Sequence, residues 1–266
     1  MKQERRNARE QDLLSRLAIV QKLSVAEAME LLQISESTAR RLFVKLENEG
    51  QVIRTHGGIR ALGHGISRYS FEEVAKSRIR EKTAIARRAC QLLRDGDVIF
   101  CDSGTTVQCF CAALVQRLQH EKLDITVYTN SLANLEILPS TVTVNLVGGE
   151  YRANRKDFCG YIAEQTLGVL YFTKSFLGAD GCVDGKVFTA TDFETTRMNE
   201  IVIRNSTQTY TLLDSSKFSQ SSHVRYALAD ELKAVVVDDG IDPDVLQKLR
   251  QNDVEVICAA VEDISV

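Results

Sequence analysis

Much that marks an enzyme, a secreted protein or a membrane protein is missing from this sequence. It has no GxxxxGK[ST] loop for a nucleoside triphosphate, no GxGxxG after a strand and no HExxH helix. No apolar run approaches the roughly 20 residues needed to cross a bilayer. The opening MKQERRNAREQD lacks the apolar stretch of a secretory signal, so the expected location is the cytoplasm. The seven cysteines form no CxxC pair and are odd in number. Free thiols in a reducing compartment are therefore expected, with neither disulfide nor metal site. Only two prolines, Pro139 and Pro243, interrupt the chain, and both suit element boundaries. No internal repeat stands out. At 266 residues and 44% apolar content, the chain can bury one or two cores.

Charge is present but uneven. Residues 1–60 hold 11 Lys+Arg against 8 Asp+Glu, a balance of +3, and the remainder holds 22 against 28, a balance of −6. A basic head on an acidic body fits a nucleic-acid-binding domain joined to a sensing or oligomerising one. The head is the most informative segment. Val25, Ala28, Met29 and Leu32 fall at i, i+3, i+4, i+7, and Ala39, Leu42, Phe43 and Leu46 repeat that spacing. Each set predicts a short helix with one apolar face. The outer face of the second helix carries Ser35, Ser37, Thr38, Arg40, Arg41 and Lys45. Hydroxyls and amides near its N-terminus suit phosphates, and arginines suit guanine edges in the major groove.

Two amphipathic helices alone occur in many folds. The continuation decides between readings. Gly50 predicts a helix stop, Val52 and Ile53 a short strand, and Gly57-Gly58 a hairpin turn. Arg54, His56 and Arg60 are then expected on a loop beside the phosphate backbone. Helix, helix and basic wing describe a winged helix-turn-helix over 1–61. Residues 62–77 show no clear period and are expected to be a linker.

From residue 78 to 266 helical and strand patterns alternate. A helix is expected over Arg78–Leu93. Strands are expected at Val98–Cys101, Ile125–Thr129, Thr143–Val147, Ser175–Leu177, Thr209–Leu213, Ala234–Val237 and Val254–Cys258. Short, apolar, β-branched strands predict a mostly parallel sheet covered on both faces, an α/β body. Ligands of such sheets gather at the C-terminal strand ends. Those ends read Asp102-Ser103-Gly104-Thr105-Thr106, Thr129-Asn130-Ser131, Gly148-Gly149, Gly178-Ala179-Asp180-Gly181 and Asp214-Ser215-Ser216-Lys217. Small residues and hydroxyls entering helices make anion cradles. Asp102, Asp180 and Glu194 suit sugar hydroxyls, and Lys217 suits a phosphate. The set points to a polyol phosphate pocket with no cofactor. The rival is a sugar-phosphate isomerase or deaminase that has gained a DNA-binding head. Such chemistry needs a general base and a second acid/base. The expected pocket loops contain no histidine.

Ser35, Thr38, Arg40 and Arg41, then Leu46, Glu47 and Gly50, then Arg54, His56, Gly57 and Gly58, resemble the signature of the DeoR family of bacterial transcriptional regulators. Leu42 departs from the acidic residue usual after the arginine pair. The loops at 102–106, 129–131, 148–149, 178–181 and 214–217 are similar to landmarks of that family's effector domain. Glu194-Thr195, Arg197 and Met198 depart from its pattern. The resemblance implies a Rossmann-like body akin to ribose-5-phosphate isomerase and a phosphorylated sugar as effector. It also implies a repressor of carbohydrate genes that binds double-stranded operator DNA as a dimer or tetramer.

Overall fold

The computed structural model describes residues 9–10, 12–14, 16–17, 22–48, 51–55, 57–61, 69–138 and 142–262. The chain divides into two compact units, Met1–Ser67 and Arg68–Val266. His56, Gly50 and Pro139 lie outside the described residues, as do residues 2–8 and residues 62–68 of the expected linker.

In the head, strand β1 (Lys22–Ser24) leads into helix α1 (Val25–Leu32), and α2 (Glu36–Asn48) follows. Strands β2 (Val52–Thr55) and β3 (Gly58–Ala61) complete a three-stranded antiparallel sheet in the order β1-β3-β2. A capping box starts α1: the Glu27 amide donates to Ser24 Oγ, and the Ser24 amide donates to the Glu27 carboxylate at 2.7 Å. Gln33, in the left-handed region at φ 51°, ends it. The periodic residues meet as read. Ala28 and Leu32 of α1 and Ala39, Leu42, Phe43 and Leu46 of α2 share one core with Leu13, Leu17, Val52 and Ile59. Met29 sits at its margin. Leu42 faces this core, so the position that departs from the family pattern is an apolar packing site here.

Two details of the wing differ from expectation. Arg54 and Arg60 lie on strands β2 and β3 rather than on a loop, with Arg54 opposite Ile59 and Arg60 opposite Ile53. Gly58 answers to crowding rather than to turn geometry. A Cβ there would lie 2.0 Å from the Leu23 carbonyl oxygen on β1, so only glycine lets the two strands meet.

The body is built on a seven-stranded parallel sheet. Its strands are β4 (Val98–Cys101), β5 (Thr126–Thr129), β6 (Thr143–Leu146), β9 (Phe172–Gly178), β12 (Ser206–Leu212), β14 (Ala234–Asp238) and β15 (Glu255–Ala259), in the order β15-β14-β12-β9-β4-β5-β6. Alternate residues feed two cores. Ile99 and Cys101 face one, with helices α4 (Ile79–Cys90) and α5 (Thr105–Leu118), while Phe100 faces the other. Helices α7 (Tyr161–Gly168), α8 (Phe193–Arg204) and α9 (Pro243–Gln251) cover that second face. The chain runs from β4 outward to β5 and β6, then returns to lay β9 on the other flank of β4. The order reverses between β4 and β9, and a crevice opens beyond their C-terminal ends at such a switch point.

The sequence reading missed the smaller elements. A hairpin, β7 (Glu150–Arg152) and β8 (Asp157–Cys159), and an antiparallel trio, β10 (Gly181–Val183), β11 (Val187–Ala190) and β13 (Val224–Leu228), pack beside the sheet. Helix α6 (Leu132–Ile137) lies between β5 and β6. The segment expected as linker also carries structure. Ser70 caps helix α3 (Phe71–Lys76), Phe71 is buried, and the Phe71 amide donates to the Asn154 carbonyl at 3.0 Å. Residues from Tyr69 onward therefore belong to the body. All seven cysteines are free. No helix among the described residues is long and apolar enough to cross a membrane.

Candidate functional site

Two surfaces carry the expected functional residues. On the head, Ser35 opens α2. Its carbonyl accepts from the Thr38 and Ala39 amides, and its hydroxyl lies 3.1 Å from Ser37 Oγ and 2.9 Å from Thr38 Oγ1. Arg40 and Arg41 are exposed on the next turn. Arg40 pairs with Glu36 at 2.8 Å, and Arg41 Nε donates to the Ser37 carbonyl at 3.2 Å. Both contacts are local and exposed, so each guanidinium can exchange its partner for a phosphate or base edge at little cost. Arg54 pairs with Glu47 at 3.0 Å, and Gly57 is exposed. Lys45 does not join this face: it is half-buried and its ammonium meets the Glu10 carboxylate at 2.5 Å. Gly58 is buried against β1. The structure thus groups Ser35, Ser37, Thr38, Arg40 and Arg41 at the outer start of α2, and sets Lys45 and Gly58 apart as framework.

On the body, the crevice beside β4 and β9 is a cleft. Loop 102–106 approaches the end of β9 closely: a Cβ on Gly104 would sit 3.5 Å from Gly178 Cα. Asp102 lies at the bottom. Its Oδ1 accepts from the Ser103 amide at 2.7 Å and its Oδ2 from the Gly178 amide at 3.1 Å. Burial dominates over both bonds and pushes its carboxyl up to about 6. Helix α5 begins here with Gly104 at its N-cap, no side chain caps the amides of its first turn, and Thr105 and Thr106 of that turn line the cleft.

Three cations line the same cleft. Lys82, on α4, is buried and donates to the Val74 carbonyl at 2.5 Å and to the Ser77 carbonyl at 2.6 Å. Burial lowers its pKa from the ordinary lysine value. Arg155 donates to Thr191 Oγ1 at 2.7 Å, pairs with Asp192 at 3.0 Å and lies 4.3 Å over the ring of Tyr69. Lys217 is half-buried on a 3-10 turn, Ser215–Ser219, capped by Asp214. Among the described residues Lys217 has no carboxylate within ion-pair distance. Asp180 is engaged by Thr191, through the threonine amide at 2.8 Å and its hydroxyl. An uncapped helix start, an unpaired lysine and a second buried lysine give this cleft the chemistry that suits an anion. The carboxylates among them can accept hydroxyl hydrogens.

Of the expected effector residues, Asp102, Ser103, Gly104, Thr105, Thr106, Gly178, Asp180 and Lys217 line the cleft together. The others do not. Thr129 Oγ1 donates to the Cys101 carbonyl at 2.7 Å, Asn130 Nδ2 to the Phe158 carbonyl at 3.0 Å, and Ser131 caps α6. These polar residues hold neighbouring loops in place. Gly148 borders open space away from the cleft wall, and Gly149 is glycine because a Cβ would lie 2.3 Å from the Cys159 carbonyl oxygen. Gly181 meets Gln220 in the same way, and Glu194 is exposed on α8. Sequence reasoning missed Tyr69, Lys82, Arg155, Thr195 and the leucines Leu212 and Leu213 as wall residues. The one hint was the basic run Arg152, Arg155, Lys156 within an acidic body.

The Asp102 carboxyl has a stability consequence. Its folded value, about 6, exceeds the ordinary 3.8, so the folded state holds a proton that the unfolded state releases between them. The empty body should therefore lose up to about 3 kcal/mol of stability as pH rises from about 4 to about 6, and none from this group above that. Denaturant titrations of the wild type minus those of Asp102→Asn should trace that fall. A difference curve flat across the window would remove the raised pKa.

Residues 77–239 match the family model described as the DeoR C terminal sensor domain, and residues 9–63 match the DeoR-like helix-turn-helix domain. The lactose phosphotransferase system repressor of Streptococcus mutans serotype c is 32% identical over 236 residues, covering 86% of this chain and 90% of that one. The protein of the same name from Lactococcus lactis subsp. lactis is 32% identical over 245 residues, covering 90% and 93%. Among solved structures, ribose 5-phosphate isomerase A from Methanocaldococcus jannaschii is similar at 20% identity and a TM-score of 0.40, over 52% of this chain and 53% of that one.

Proposed function

Because this chain belongs to the DeoR family of transcriptional regulators, it is a DNA-binding regulator and not an enzyme, and we propose that a phosphorylated sugar in the body cleft controls its grip on operator DNA. Repression of carbohydrate catabolism genes is the role that fits its relatives, whose names are those of lactose phosphotransferase system repressors. Ser35, Ser37, Thr38, Arg40 and Arg41 would face the major groove and its phosphates, with Arg54 on the wing. The body would hold two or more copies together. A single head binds weakly, and joining two raises the effective concentration of the second. If the effector changes operator affinity, operator DNA changes effector affinity by the same factor.

One observation carries the effector assignment. Lys217, without a carboxylate partner, lines a cleft with the uncapped start of α5 and the buried Asp102. The phosphate would meet the ammonium groups of Lys217 and Lys82 and the α5 amides, and the sugar hydroxyls would donate to Asp102 and Asp180. The test is a mobility-shift titration on the DNA upstream of the gene, with excess nonspecific competitor and a panel of sugar phosphates. One compound should change the shift of the wild type. Lys217→Ala should bind the DNA equally well without ligand but need about 10–100-fold more of that compound, the loss of one charge-assisted bond. An unchanged dose response would remove Lys217 from the site. A specific shift that no sugar phosphate alters would overturn the effector class.

A further inference from the structure

We infer that the outer face of α7, together with Tyr171 and Phe193, is the surface on which a second copy of this chain docks. The inference rests on the oligomer proposed above and names its surface. Ala163 and Leu167 of α7 are fully buried against the body, which leaves the rest of the helix facing outward. That outward side exposes Gln165 and Thr166 as well, but its large side chains are apolar. Tyr161 is 75% exposed, Ile162 68%, Val169 86%, Tyr171 68%, and Phe193 at the start of the neighbouring α8 is 73% exposed. Between Tyr161 and Tyr171 the sequence has one charged residue, Glu164. An ordinary solvated helix of the same body looks different: α9 exposes Asp244, Lys248 and Arg250.

Area and charge both favour a like copy. Aromatic side chains offer on the order of 150–250 Å² each. Three of them with two aliphatic neighbours expose several hundred Å², close to the roughly 800 Å² that each partner contributes to a standard interface. Monomeric proteins rarely leave such a patch in water. Glu164 pairs with Arg197 of α8 at 3.4 Å, so the face has an internally balanced charge that does not repel its own image across a two-fold axis. A membrane surface would call for several unpaired lysines or arginines beside the apolar residues; Tyr161–Tyr171 contains neither, and the neighbouring Arg197 is paired with Glu164.

This surface and the effector cleft share one helical turn. Asp192 caps α8 through the Thr195 amide at 2.7 Å and is held by Arg152 and Arg155. Phe193 then points outward while Thr195 lines the cleft. A ligand that draws on Arg155 or Thr195 therefore acts next to the docking face.

Sedimentation equilibrium of the full chain tests this. The wild type should sediment as a dimer or larger species. Ile162→Glu and Tyr171→Glu should each weaken self-association at least tenfold and yield monomer, with an unchanged circular dichroism spectrum. Leu31→Glu, an exposed apolar position on the head, should keep the wild-type mass. Should Ile162→Glu disturb α7, Tyr161→Lys carries the same test at the most exposed aromatic of the patch. Variants that keep the wild-type mass would overturn this face and leave the oligomer standing. A wild type that is monomeric throughout would overturn both, and the sugar-phosphate response would still be judged separately by mobility shift.

Discussion

Gly58→Ala is expected to unfold the head and abolish specific DNA binding while the body keeps its fold and its ligand. The added Cβ would lie 2.0 Å from the Leu23 carbonyl oxygen and 2.7 Å from Ser24 Cα. Both are backbone atoms, so no side chain can swing aside to relieve the clash. β1 would have to leave β3, and the pairs Lys22 with Arg60, Leu23 with Ile59 and Ser24 with Gly58 would part. Leu23 and Ile59 would be drawn out of the small head core. Overpacking of a core costs about 1–3 kcal/mol, and more when backbone must move. A head of this size has little stability to lose. Two measurements check the outcome: the specific mobility shift should vanish, and amide exchange in α1 and α2 should reach the rate of unfolded chain. A variant that shifts DNA as the wild type does would mean that β1 can yield without cost.

Arg152→Ala is expected to destabilise the body by about 3–5 kcal/mol. Arg152 grips Asp157 with two parallel bonds, at 2.8 and 2.6 Å, and reaches Asp192 at 2.8 Å and Thr195 at 3.0 Å. It thereby ties the β7–β8 hairpin to the start of α8. Asp157 is fully buried and its other bond comes from Ser103 Oγ, at 2.8 Å. Removing the guanidinium leaves a buried carboxylate with one hydroxyl for company, and that is the expensive way to break a buried pair. For a body of about 200 residues the midpoint of thermal unfolding should fall by roughly 10 °C. Arg152→Met combined with Asp157→Leu should recover part of the loss, since both charges then go together. A midpoint within about 2 °C of the wild type would show that water or another cation replaces Arg152.

The strands were legible along their apolar and β-branched stretches and hidden where a buried charge interrupts them. β4 and β14 follow the expected ranges because Val98–Cys101 and Ala234–Val237 are unbroken apolar runs; β14 extends one residue further, to the buried Asp238. β9 was legible only over Ser175–Leu177, because it begins with Phe172, Thr173 and Lys174. Lys174 is buried there, with its ammonium 2.6 Å from Asp97. No pattern within the strand announces a partner 77 residues away. The cleft divides in the same way. The loops at 102–106, 178–180 and 214–217 were legible because each ends a strand of the sheet. Lys82 sits within an amphipathic helix and reads like any solvated lysine, yet it closes the end of α3. Thr129-Asn130-Ser131 has the composition of a ligand loop, but Thr129 and Asn130 donate to neighbouring carbonyls and Ser131 accepts from the Asn134 amide as the cap of α6.

The placement of β9 also sets a timetable for synthesis. The cleft needs the ends of β4, β9 and β12 side by side, and it is finished only when Lys217 has been added. The head needs nothing beyond residue 61 for its own sheet and core. At about 5–20 residues per second, roughly 8–30 s separate the two events. Through that interval a nascent chain carries a reader of DNA with no sensor attached. In the proposed assembly such a chain would be held back by being alone: one head without a second has the weak hold of a single site, and the proposed docking face is completed together with the sensor.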